Sequence, residues 1–426
     1  MGKVGRIKAE SFDLMQYFYR TVHEPLIHGL ITFYGHLDEA AFIEAVTLSG
    51  QAIPLIRCTF EMGGGRPYWK DRGFTGKDIV HVMESQATYL ENEVPEWLAA
   101  SIDIHNEPQL KIVLIKGPET DTLCIIMNHM VCDGAGFKQY IYLLGELYTA
   151  CCGEAGDLLR VRPDTTAYSR GTGQLFSGLR CYEKIGLLFA EYDLSKQKKQ
   201  ATVHMEGDSG NPFFVMRRMD PADFCRLKER AKRKDATIND MILTSYARAL
   251  SRETGAEQIV IPCPVDLRKF IPSGGNPGIC NLTSNFICDV TVWRGDLFEM
   301  TLEQVSSQMK VQKESPSCLK SVIMLEMFFH LLPFRVIRKV FGKLFTIPVT
   351  SYTNLGVIDK RVLRFGQIGI ADAVLTGAIK YAPYFQIAVS TYDDACTLSC
   401  NLHSTPHDQV RIERFLEGMI SELLEQ

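Results

Sequence analysis

His129, Asp133 and Gly134 stand in the order H-x-x-x-D-G, within His129-Met130-Val131-Cys132-Asp133-Gly134. The run before them, Leu123-Cys124-Ile125-Ile126-Met127, is short, apolar and free of Pro and Gly, and reads as a buried strand. After Gly134, the residues Tyr140, Ile141, Leu144, Leu147 and Tyr148 form the stripe of a helix with one apolar face. A strand, a tight turn and a helix therefore place an imidazole at a strand mouth. There it can face a cavity and act as a base near neutral pH. The competing reading is a strand-end histidine tied to backbone, with an Asp-Gly turn behind it.

The elements that must position this turn alternate along the first part of the chain. Gly29 to Gly35 reads as a strand, and Leu37 to Val46 as a helix with Asp38 and Glu39 at its positive end. Ile53 to Phe60 reads as a strand opened by Pro54, and Gln109 to Lys116 with Thr122 to Met130 as a hairpin. Residues 153 to 210 are polar or glycine-rich in several places and read as a crossover, with a helix around Leu179 to Tyr192. Beyond it come a strand at Pro212 to Met219 and a helix at Asp220 to Lys232. A long helix follows, capped by Thr237 with Asp240 three residues on. Ile259 to Pro264, Thr283 to Val292, Val362 to Ile368, Tyr384 to Tyr392 and Cys396 to Leu402 read as strands, and Asp408 to Glu425 as an amphipathic helix. The expected class is α+β, with α/β two-layer sandwich lobes. The divisions are 1–165 for the lobe carrying the histidine, 166–210 for the crossover and 211–426 for the second lobe.

A chain of 426 residues suits two lobes better than one core. Apolar residues make up 46% and charged residues 23%, ordinary globular usage; 46 basic against 50 acidic side chains give a net charge of −4 and no nucleic-acid footprint. The 13 cysteines form no C-x-x-C pair. Their odd number, with no apolar leader after Met1, leads us to expect reduced thiols in a cytoplasmic protein. Gly2 is followed by Arg6 where a myristoylation signal needs Ser or Thr. No stretch reads as a membrane span.

Several short motifs then fall in a telling order. Ile53-Pro54-Leu55-Ile56-Arg57-Cys58-Thr59-Phe60 resembles an H-P-x-L-R-x-x-F strand, with Ile53 in place of His and Ile56 in place of Leu. The H-x-x-x-D-G turn follows. Thr237-Ile238-Asn239-Asp240 resembles T-x-N-D, Pro264-Val265-Asp266-Leu267-Arg268 resembles P-V-D-L-R, Asn281 to Asn285 resembles the G-N stretch, and Thr353-Asn354-Leu355-Gly356 resembles S/T-N-L-G. On these residues the chain resembles the chloramphenicol-acetyltransferase-like superfamily. That group includes condensation domains, alcohol acetyltransferases and polyketide-associated acyltransferases. The plant subgroup's D-F-G-W signature is missing.

The resemblance implies two such lobes in a pseudo-dimer with a tunnel between them. It implies acyl transfer from a coenzyme A or carrier-protein thioester to a hydroxyl or amine, with His129 as general base and no acyl-enzyme. The phosphopantetheine thioester would be a co-substrate rather than a bound cofactor, and no metal is expected. Partners would be the thioester donor, a small-molecule or lipid acceptor, and on one reading a carrier protein; the chain would act as a monomer. Asp133 would pair with Arg268 and tie the lobes, against the alternative of a surface pair worth little. Gly134 would allow a conformation or close approach that a Cβ blocks. Asn354 is the candidate oxyanion donor, or equally a strand-end turn residue; Thr353, Asn285 and Thr391 are weaker candidates for substrate contact. The alternative function is a non-catalytic docking module for a carrier protein or synthase.

Two further features need weighing. Cys132 beside the motif reads as a buried thiol, since nothing nearby in sequence lowers its pKa. Ser321 to Phe345 reads as a helix pair broken at Pro333 that lines an acyl pocket, or as an interfacial helix with peripheral membrane contact.

Overall fold

Asp121–Asn128, the strand that leads into His129, is buried along its whole length. A near-continuous apolar run suits a strand covered on both faces. In the computed structural model, which describes residues 5–63, 65–85, 94–153, 169–189, 200–208, 210–272, 277–345 and 347–425, this strand sits at the centre of a five-stranded sheet. The order is Ile370–Thr376, Leu26–Phe33, Asp121–Asn128, Leu110–Lys116 and Val80–Glu84, antiparallel except for the last pair. The helix Gly134–Cys152 packs on this sheet beside Glu39–Ala52. Phe137 can lie flat on the strands because Gly29 beneath it lacks a Cβ, which would come 3.2 Å from its ring.

A six-stranded sheet gathers most of the second half. Thr350–Ile358, Phe385–Tyr392 and Ala395–His403 lie side by side, and Pro212–Met219 and Ile379–Tyr381 both pair with the last of these. The helices Ile238–Thr254 and Pro406–Leu424 contact each other behind it. Thr237 caps the former, with the reciprocal bond from Asp240, as its spacing predicts. A two-stranded ribbon, Gln258–Asp266 with Thr283–Thr291, carries Arg268 and Asn281 just beyond its ends.

The halves are not separate in sequence. Ile370–Thr376, far along the chain, forms the edge of the first sheet, while His23–Glu24 pairs with Ile379–Lys380 in the second. The division at 165 and 211 is thus crossed in both directions. Residues 154–168 and 190–199 of the crossover lie outside the described residues; its helix covers Cys181–Leu188.

Two strand expectations are corrected. Val362 to Ile368 forms a turn closed by a bridge between Phe365 and Ile368, because Gly366 takes a left-handed φ of 59°. In Ile53 to Phe60, Pro54 opens a 3₁₀ turn through Arg57, and the strand begins only at Cys58.

The 12 cysteines whose side chains are described are unpaired; among the described residues no cluster of ligands could hold a metal ion, and no helix is long and apolar enough to cross a membrane. Ser321 to Phe345 contains the helices Leu319–Leu331 and Phe334–Leu344, interrupted at Pro333. The second turns Ile337 and Phe341 inward and Arg335, Arg338, Lys339 and Lys343 outward. Phe341 stacks on Phe18 at 4.6 Å and on Phe345 at 5.0 Å. Burying a ring of that size stabilises by roughly 2 kcal/mol, while Val336 and Leu344 of the same helix stay exposed.

Candidate active site

The His129 turn is fixed from both halves of the molecule. Its backbone N–H donates to the Pro25 carbonyl at 2.7 Å, and its carbonyl accepts from Asn281 Nδ2 at 2.8 Å. Asn128, just before it, accepts from the Met130 N–H at 2.9 Å and donates to Gln109 at 2.6 Å. With the main chain held this way, the side chain faces a cavity of about 1300 Å³ between the halves. Nδ1 is buried without a hydrogen-bond partner, which leaves Nε2 as the nitrogen open to that space.

Desolvation is the main influence on this imidazole, and it lowers the pKa below the ordinary histidine value. The nearby Lys380 ammonium pushes the same way. The histidine's own carbonyl, Asp133 and Asn281 act in opposition without overcoming burial. The ring is therefore neutral at physiological pH and ready to accept a proton.

Asp133 does not reach into chemistry. One oxygen caps the helix Gly134–Cys152 by accepting from the Gly136 N–H at 2.8 Å. The other accepts from Arg268 Nη1 at 3.0 Å, the Leu282 N–H at 2.7 Å and the Thr283 hydroxyl at 3.1 Å. The Asp133 and Arg268 side chains are only 4% and 9% exposed, so this is a buried pair and not a solvated one. Arg268 also donates to the Cys280 carbonyl at 2.8 Å and to Asp266 at 3.0 Å.

Gly134 owes its place to close approach: a Cβ would lie 2.3 Å from Leu355 Cδ2, on the strand that forms the opposite wall. Its φ lies outside the left-handed region, so conformation is not the reason.

The remaining sequence-predicted residues divide. Asn285, Thr353 and Asn354 line the cavity. Asn354 is largely committed elsewhere. Its Nδ2 donates to Asn239 at 2.9 Å, and its Oδ1 accepts from the Gly356 N–H at 2.8 Å across a bulge in the strand. Thr391 is not among the residues lining the cavity, because the alternation of Phe385–Tyr392 turns it away. Cys132 is buried, 3.3 Å from Met127 Sδ, with its thiol pushed well up by desolvation; it is no nucleophile.

Sequence reasoning missed Asn281 as the holder of the His129 carbonyl, Asn239 as the anchor of Asn354, and the pair His23 and Lys380 in the cavity wall. The Asn281 to Asn285 stretch contained the first and the T-x-N-D motif the second. Nothing in sequence brings His23 to Lys380, which meet only through strand pairing.

No family model matches the chain. Its fold matches the first condensation domain of the calcium-dependent antibiotic synthetase at a TM-score of 0.68 and 16% identity, covering 99% of this chain and 97% of that one. It matches the trichothecene 15-O-acetyltransferase of Fusarium sporotrichioides at 0.70 and 13%, covering 98% and 94%. Polyketide synthase associated protein 5 of Mycobacterium tuberculosis gives 0.67 and 13%, covering 99% and 98%. Among curated sequences, malpinin synthetase of Mortierella alpina is 25% identical over 256 residues, and cyclosporin synthetase of Tolypocladium inflatum 24% over 250. These alignments take in 57% and 55% of this chain but only 3% and 2% of the two synthetases.

Proposed function

We propose that the chain, whose fold is that of condensation domains and a 15-O-acetyltransferase, is a chloramphenicol-acetyltransferase-like acyltransferase that moves an acyl group from a thioester to a hydroxyl or amine. The observation that carries this reading is a neutral imidazole, His129, with one nitrogen open to a cavity between two halves. An acyl transfer of this kind needs a base, a cleft that admits two substrates, and little else.

The step balances simply. The acceptor oxygen or nitrogen bonds to the thioester carbonyl carbon while His129 Nε2 takes its proton. The carbonyl oxygen becomes an oxyanion. Collapse of the tetrahedral intermediate breaks the carbon–sulfur bond, and the imidazolium returns the proton to the departing thiolate. No acyl-enzyme is needed, because the donor is already activated. In this reading the second N–H of Asn354 faces the oxyanion. Asp133, Arg268 and Asn281 are positioning residues, since they touch the turn and not the substrate. The donor is coenzyme A or a carrier-protein phosphopantetheine. The condensation-domain and polyketide-associated neighbours support a carrier arm.

Incubation with acyl thioesters on coenzyme A and on a carrier protein, each with panels of alcohols and amines, tests the reading. Acceptor-dependent release of thiol with formation of ester or amide is expected. Free acid formed at the same rate without acceptor would make the protein a hydrolase, and no thiol release from either donor would refute the proposal.

A further inference from the structure

Lys380 is 7% exposed, and its side chain runs from the strand Ile379–Tyr381 to the wall of the cavity that holds His129. Its Nζ lies 3.3 Å from His23 Nδ1, on the neighbouring strand. An ammonium can only donate, so His23 Nδ1 accepts and the ring proton sits on Nε2. That second nitrogen is buried with no partner. Burial lowers the pKa of the Lys380 ammonium to about 8.

A buried cation is normally matched by an anion. Among the described residues, Lys380 makes no salt bridge, and the nearby acids turn to other groups; Glu24 does so through Oε1 alone, its Oε2 being buried without a partner. Glu24 accepts from His403 at 3.1 Å and from the Tyr381 hydroxyl at 3.5 Å. Asp133 and Asp266, the acids on the cavity wall, both bind Arg268. The wall beside the base thus holds a cation whose charge the protein leaves uncompensated. A group kept at that cost within a cleft is a candidate for ligand recognition.

We propose that Lys380, backed by His23, is a subsite for a carboxylate carried by the acyl-transfer substrate, so that the acceptor or acyl group is an acid and not a neutral molecule. The inference deepens the acyl-transfer reading and rests on it for the word substrate; the anion subsite itself is a claim about binding. A phosphate is the poorer match. A phosphopantetheine arm keeps its phosphate a full arm's length from the thioester, whereas Lys380 stands next to the base that acts there. A carboxylate close to the reacting group reaches both. Nζ would give it two hydrogen bonds while keeping the one to His23.

Calorimetry with straight-chain carboxylates from butanoate to decanoate and their primary amides tests this without turnover. The proteins are wild type, Lys380→Met, Lys380→Arg and His129→Ala. Lys380→Met removes a charge that has no protein partner, so it should fold with a melting temperature at or above wild type. At least one carboxylate should bind wild type about tenfold more tightly than its amide. His129→Ala and Lys380→Arg should keep that preference, and Lys380→Met should abolish it. Equal binding of acid and amide by wild type, binding of neither, or a preference that survives in Lys380→Met would each overturn the subsite. Acyl transfer without the preference would sink the subsite alone. The preference without acyl transfer from any thioester would sink the catalytic reading alone.

Discussion

Asn281 Nδ2 donates to the carbonyl of His129 at 2.8 Å, so a side chain from the second half sets the backbone that aims the His129 imidazole of the first. Asn281 also favours the protonated ring. Asn281→Ala should therefore lower kcat about tenfold with KM nearly unchanged, and move the acid limb of the pH–kcat profile to lower pH. A merely structural asparagine would cost about 1 kcal/mol of stability and leave that limb in place.

The Asp133–Arg268 pair joins the helix start at Gly134 to the ribbon that precedes Asn281. Removing one partner of a buried ion pair strands the other, at roughly 3–5 kcal/mol. Asp133→Asn and Arg268→Met should each destabilise by about that much in urea unfolding. The double variant should lose less than the sum, because the second change removes the stranded group. Strict additivity would mean the two do not act as a pair.

Asn354 separates two roles by one substitution. As an oxyanion donor, its replacement by Ala should cost about a hundredfold in kcat. As a turn residue holding Asn239 and Gly356, it should cost stability and leave kcat within a few-fold. Acyl transfer is compatible with either donor, so kcat in Asn354→Ala decides only the role of Asn354.

Acid should weaken the fold through His28. Its ring is buried, with Nδ1 3.1 Å from the Gly377 carbonyl, and burial lowers its pKa to about 4. The unfolded chain takes up this proton below about 6.5 while the folded one does not. The stability is thus intact above 6.5 and is lost as pH falls toward 4, by about 2 kcal/mol between pH 7.5 and 5. His23 and His129 are depressed too and add the same sign. Urea unfolding at both pH values checks this: His28→Gln should show a smaller loss on acidification than wild type, and an equal loss would contradict it.

Much of the site was legible because its parts are local. A continuous apolar strand, an Asp-Gly turn and an apolar helix stripe place His129 with no knowledge of the rest. The order of the T-x-N-D, P-V-D-L-R and T-N-L-G motifs led to Arg268 and Asn354. What sequence hid depends on distant pairing. Ile370–Thr376 became an edge strand because Leu26–Phe33 needed a neighbour, and no local pattern marks that. Val362 to Ile368 alternates like a strand, yet Gly366 turns it. Thr391 lay on a correctly read strand but on the face away from the cavity. Lys380 lies in no element marked by the sequence pattern, and only the pairing with His23–Glu24 sets it in the wall.

The most direct measurement is single-turnover acyl transfer by His129→Ala beside wild type, with a thioester donor and an acceptor that wild type uses. Loss of the base should slow the chemical step by a factor of about 10² to 10⁴, with donor binding and melting temperature nearly unchanged. A His129→Ala protein that folds, binds the donor and transfers the acyl group at the wild-type rate would contradict the account.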